Sequence, residues 1–281
     1  MAGARTQHSK RPRAMRDGMV AGTMDGPSGL LLFGAGLAGG IVTAVVGGAS
    51  LITFPALLAA GLPAIVANAS NAVALMPGNF VGGMADLERL PRWDRAFMGM
   101  IAVCVAGSVA GAVLLLVTPE RAFTMVVPLL IGLATILFAG AGRIRRWILS
   151  RAARPNGTRV SAAGLRLLLF APVAVYGGYF GAGMSVMLLA ILSVSDTDDF
   201  RTTNVIKNLI SGLTSLVAVV VFVFQGMVAW PPTMVVMAGA SVGGFLGGRL
   251  ARILPPSLMR GIVITVGTIL TVIYAWRYWL P

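Results

Sequence analysis

The sequence predicts an all-α, polytopic membrane protein of about eight transmembrane helices, arranged as two repeated four-helix halves whose first helices are broken by glycines. Three observations carry this. Hydrophobic residues fill 57% of the 281 positions, charged residues only 11%, and mean hydropathy is +0.87, which leaves too little polar surface for a water-soluble fold of this length. The apolar runs are long and glycine-rich and lack the alternation of barrel strands, so helices are the expected spans, each satisfying its own backbone inside lipid. Finally, glycines, asparagines and prolines recur in the same order at an offset of about 135 residues, as in an internal duplication.

Residues 1–28 form a basic tail with Arg5, Lys10, Arg11, Arg13 and Arg16. No compact apolar core with a small-residue cleavage site follows, which argues against a signal peptide, and the tail is expected to be disordered and cytoplasmic. Met15, Met19 and Met24 all precede the first apolar run, so translation can start later than residue 1.

The first repeat is placed at 29–140. A span needs roughly 20 apolar residues, so the stretch 29–60 is too long for one simple helix. Gly47-Gly48 and Pro55 within it make it either a broken helix or a helix followed by a short re-entrant piece. Further spans are expected at 64–84, 96–117 and 121–140, the last opened by Thr118-Pro119-Glu120, a cap, a first-turn proline and a first-turn acid. Residues 141–166 form a basic loop holding Arg143, Arg145, Arg146, Arg151, Arg154, Arg159 and Arg166 without an acid. The second repeat, 167–281, carries spans near 167–194, 202–224, 232–250 and 257–276.

With eight spans, sixteen Lys and Arg fall on the side of the termini and five on the other, which places both termini and the basic loop in the cytoplasm. If the glycine-broken segments were instead hairpins that do not cross, the halves would be inverted and the arginine-rich loop would lie outside. The charge count favours the first arrangement.

The net charge of +13 does not point to nucleic acid, because the basic residues cluster in connections rather than on a helix face. A single Cys104 and a single His8 cannot build a disulfide framework or a His/Cys metal site. There is no G-x-x-x-x-G-K-S/T loop for ATP, and no nucleophile–base pair can be assembled within the spans. Neither an enzyme nor a cofactor is expected.

Between Gly39 and Pro63 the chain reads GGIVTAVVGGASLITFPALLAAGLP, and its counterpart from Gly177 reads GGYFGAGMSVMLLAILS, followed by TTNVIKNLISG. With the arginine-rich central stretch, these segments resemble the TauE/SafE family over most of the chain. That resemblance implies a bacterial plasma-membrane permease of seven or eight helices, with sulfite, sulfonates or other organosulfur anions as solutes. The second half departs from the first in lacking a proline that matches Pro55. The partners expected are a small anionic solute and membrane lipids, with a homodimer possible; a non-transporting assembly subunit is the alternative function.

Lys207 is the charged side chain set furthest inside an expected span, and intramembrane charges are costly and usually functional. Asn204, Lys207, Asn208 and Ser211 share a helix face at i, i+3, i+4 and i+7, a face able to hold an oxyanion; alternatively Lys207 snorkels to the headgroups. In the first half Asn68, Asn71 and Asn79 mark the corresponding helix, either touching solute or joining helices. The breaks at Gly47-Gly48 and at Gly181 and Gly183 free backbone N–H groups and expose the positive end of a half-helix, which suits an anion.

Overall fold

The structure, a computed structural model, describes residues 26–45, 47–84, 95–152, 162–192, 200–250 and 256–280. Among them are ten helices: α1 (Gly26–Val45), α2 (Ser50–Ala59), α3 (Ala64–Met84), α4 (Arg95–Val117), α5 (Glu120–Ala152), α6 (Ala162–Tyr179), α7 (Met184–Leu192), α8 (Phe200–Phe224), α9 (Trp230–Leu250) and α10 (Pro256–Trp279). Five stretches are long and apolar enough to cross a bilayer: Gly26–Ala44, Phe97–Val117, Glu120–Gly140, Val205–Phe224 and Leu258–Trp279. Helices α3 and α9 have a span's length, 21 residues each, but the asparagines of one and the glycines and prolines of the other dilute their apolar character.

The expected four helices per half become five, because each glycine-broken segment is two helices lying side by side. Gly47 and Gly48 (φ +88° and +97°) reverse the chain after α1, a conformation that side chains with a Cβ resist. A Cβ on Gly39 would then meet Ala49 and Thr53, contacts that a continuous helix, rising about 1.5 Å per residue, could not make. The second break uses Gly181 and Gly183 (φ +77° and +80°), and Tyr176 Oη donates to Ala182 O at 2.6 Å to brace it.

The ten helices pack with two-fold regularity. α1 lies on α9 as α4 lies on α6; α2 meets α10 as α7 meets α5; α3 and α8 cross each other, and α5 pairs with α10. Small residues allow the closest approaches. A Cβ on Gly40 would fall 2.3 Å from Ala240 O, and one on Gly111 would fall 2.0 Å from Val175 O. Such backbone proximity is the main source of helix association in lipid, where the hydrophobic effect does not discriminate.

The contacts also set directions. Gly36 meets Val236 and Gly247 meets Ile41, so α1 and α9 run parallel; Gly107 meets Ala174 and Gly111 meets Tyr179, so α4 and α6 do too. By contrast Gly132 meets Thr271 and Thr135 meets Gly267, so the matched helices α5 and α10 are antiparallel. Arg260 pins one end of that pair, donating to Phe138 O (2.9 Å) and Ala139 O (3.1 Å), and Trp279 Nε1 pins the other through Met125 O (3.0 Å).

A parallel arrangement of the halves does not survive this packing, since counterparts in parallel repeats would run the same way. The starts of α3 and α5 and the end of α10 meet at one end of the bundle. The last turns of α5, a helix of 33 residues, reach toward the opposite end, and the basic stretch expected as a loop at 153–161 lies outside the described residues.

Candidate solute site between the two glycine turns

Where α3 and α8 cross, a cavity of about 60 Å³ is lined by Ser50, Asn68, Asn71, Gly177, Gly181 and Ser215, with Phe180 and Phe222 beside them. One water needs roughly 10–15 Å³ by the same measure, so there is space for a few waters or a small polyatomic solute. The site is assembled from both halves. Phe180 of the second turn packs edge-on against Phe54 of α2, ring centres 5.3 Å apart, bringing the two broken segments together.

α3 supplies the cavity's amides and ties itself to three other elements. Asn68 Nδ2 donates to Tyr179 O at 2.8 Å, one of the carbonyls left open at a helix C-terminus. Ser70 Oγ accepts from Ala229 N at 3.0 Å. Thr53 Oγ1 stands 2.5 Å from Asn71 Oδ1 and 3.0 Å from Ala49 O; its single proton serves one acceptor at a time. All three α3 side chains are buried, which is tolerable because each has a partner.

The matching elements of the second half are less amide-rich. Ser185, near the start of α7 as Ser50 is at the start of α2, lies 3.3 Å from Ser211 of α8. Ser108 Oγ donates to Thr214 O at 2.7 Å, while Thr214 Oγ1 is buried without a partner among the described residues.

The expected site residues therefore separate. Asn68, Asn71 and Gly181 line the cavity. Lys207, Asn208 and Ser211 lie on α8 toward its N-terminus; Lys207 is half-buried with no ion pair to a described residue. Gly47 and Gly48 form the first turn, where Phe138 covers Gly48, and Gly183 rests on Ala134. The side chains of Asn204 and Asn79 fall outside the described residues. Ser50, Gly177 and Ser215 join the site without having been singled out. Ser215 follows Ser211 by one turn on the same face, and Ser50 directly follows the glycine turn, so the signals were present.

A second, larger cleft of about 230 Å³ opens at one end of the bundle, lined by Pro63, Ala64, Glu120, Thr124, Arg277 and Tyr278. No group of three His, Cys, Asp or Glu residues suited to a metal occurs among the described residues.

Apolar spans around a small polar cavity built from two glycine-turned segments define a multi-pass membrane protein of the transporter class. The description Sulfite exporter TauE/SafE matches residues 32–274, and the chain belongs to that family. It is 26% identical over 251 residues to a probable membrane transporter protein, ORF9, of Sinorhizobium sp, covering 86% of this chain and 90% of that one. It is 24% identical over 242 residues to a probable membrane transporter protein of Haemophilus influenzae (86% and 92% covered). With the probable membrane transporter protein YfcA of Escherichia coli K12 it shares 26% over 249 residues (86% and 87% covered). No solved structure matches the chain.

Proposed function

We propose that the chain is a secondary permease moving a small anion across the bacterial inner membrane, with sulfite, sulfonates and other organosulfur anions the first solutes to test. The observation that carries the reading is the cavity at the α3–α8 crossing, where Asn68, Asn71, Ser50 and Ser215 converge beside Gly181. Amides and hydroxyls can donate to an oxyanion without bringing a competing negative charge. Ser50 also marks the N-terminus of a short helix, where the backbone dipole favours anions. Lys207 and Ser211 continue the face that carries Ser215, and they are the proposed cationic end of the solute path. Gly47, Gly48 and Gly183 shape the turns, and Asn204 and Asn208 flank Lys207.

The antiparallel α5–α10 pair supports halves inverted about an axis in the membrane plane, the arrangement suited to alternating access. With halves inverted in this way, the face of the termini would carry Arg5, Lys10, Arg11, Arg13, Arg16, Arg121 and Arg277, seven residues, against fourteen on the face of the central basic segment. The excess favours that central segment as cytoplasmic and the termini as external.

Reconstituted protein in sealed proteoliposomes tests the function. Labelled sulfite or a small sulfonate should equilibrate faster than in protein-free vesicles; equal rates for every anion tried would sink the permease reading and leave the assembly subunit.

A further inference from the structure

We propose that Glu120 is a positioning residue for the solute site, holding α3, and with it Asn68 and Asn71, in register against α5. This rests on the reading of the central cavity as the solute site.

α3 begins without a cap of its own. The carbonyl of Pro63 accepts the first helical bond, from Ala67 N at 2.7 Å, which makes Pro63 the N-cap residue. Proline has no side-chain acceptor for the open N–H groups that follow. The acceptor comes from another helix: Glu120 Oε1 receives Ala64 N, and Ile65 N lies 3.3 and 3.4 Å from the two carboxylate oxygens. Glu120 is the first residue of α5, so its own helix was the expected beneficiary of its charge; the carboxylate instead serves a helix more than fifty residues earlier.

A cap from within the chain segment would steady α3 alone, whereas a cap from α5 also fixes where α3 sits. Asn68 and Asn71 follow Ala64 by four and seven residues on one helix face, so a displacement at Ala64 reaches both amides within two turns. The far part of α5 carries Phe138 against Gly48 and Ala134 against Gly183. One helix thus grips the start of the amide-bearing α3 and underlies both glycine turns. The cleft around the carboxylate is shared with Arg277 and Tyr278 of α10 and Leu58 of α2.

Two variants separate positioning from simple capping. Glu120→Ala removes the bridge, and Glu120→Ala with Pro63→Asp supplies a local cap instead. In proteoliposomes we expect Glu120→Ala to raise the apparent KM for sulfite about fivefold, the scale of one lost cap. The double variant should recover thermal stability but keep the raised KM. Recovery of KM by the local cap, or a wild-type KM in Glu120→Ala, overturns the proposal. Should the wild-type protein move no anion, the permease reading fails by itself. The bridge is then judged by the distance between spin labels at Gly78 of α3 and Ile136 of α5: a broadened distribution in the double variant supports it, and an unchanged one overturns it.

Discussion

Thr53 of α2 and Asn71 of α3 meet at the cavity wall, with Thr53 Oγ1 2.5 Å from Asn71 Oδ1. The pair joins the short helix after the first glycine turn to the helix that bears the cavity's amides. Thr53→Val keeps the shape and leaves a buried amide without that partner, at a cost of about 1–3 kcal/mol. The thermal midpoint in detergent should fall accordingly, and the solute KM should rise; an unchanged midpoint would show that Asn71 finds another partner.

Lys207 offers a sharper test of the anion path. Lys207→Ala should lower uptake by about tenfold or more if the ammonium meets the solute inside the membrane, where a charge is costly unless used. Lys207→Arg should retain part of the activity. Full uptake by the alanine variant, with normal folding, would return the side chain to the headgroup region.

Glycines of one composition play opposite parts. Gly40→Ala would drive a methyl to 2.3 Å from Ala240 O, a backbone atom that cannot swing aside, and should destabilise the α1–α9 contact by about 1–3 kcal/mol. Gly244, on the facing helix α9, has nothing within 4 Å of its Cβ position. Gly244→Ala should therefore leave stability unchanged or raise it by up to about 1 kcal/mol. Thermal unfolding of the two purified variants side by side checks both signs.

Membrane orientation can be read from reporter fusions. Alkaline phosphatase fused after Trp279 should be active, and a fusion within 153–161 inactive, if the fourteen-residue basic face is cytoplasmic. The reverse pattern would place the termini inside.

Arg260 is an α10 side chain spent on α5 carbonyls. Arg260→Met keeps much of the apolar stem but removes both hydrogen bonds; a buried bond to a charged group contributes about 1.5–3 kcal/mol net, and the exposed one to Ala139 O contributes less. The expected result is a lower thermal midpoint with the solute KM unaltered, since the contact lies on the α5–α10 pair and not at the cavity. A changed KM would assign that pair a part in solute binding.

Much of this was legible in the residues. The helical membrane class follows from composition, the turns from Gly47-Gly48 and Gly181 with Gly183, and the polar face of α8 from helical spacing through Ser211. Ser215 continues that face at i+4 from Ser211, but spacing alone does not say which stretch of the face borders the cavity. Ser50 follows a glycine pair, a place where serine serves equally well as a helix cap, so sequence does not set it apart. Locally Glu120 is the first-turn acid of its own helix, and nothing near it in sequence reveals that its partners are Ala64 and Ile65.

Sequence alone determined what each stretch could tolerate: apolar runs that must be helical in lipid, glycines that permit positive φ, and asparagines that must find partners once buried. Tertiary structure decided direction and company. A glycine turn allows the next helix to continue or to return, and the choice for α2 and α7 depended on what Gly39 and Gly177 could pack against. The antiparallel fit of α5 on α10 likewise arises from contacts between residues more than a hundred positions apart, such as Gly132 with Thr271. Local spacing carries no record of such pairings, because helix periodicity reports which face is buried and not which helix covers it.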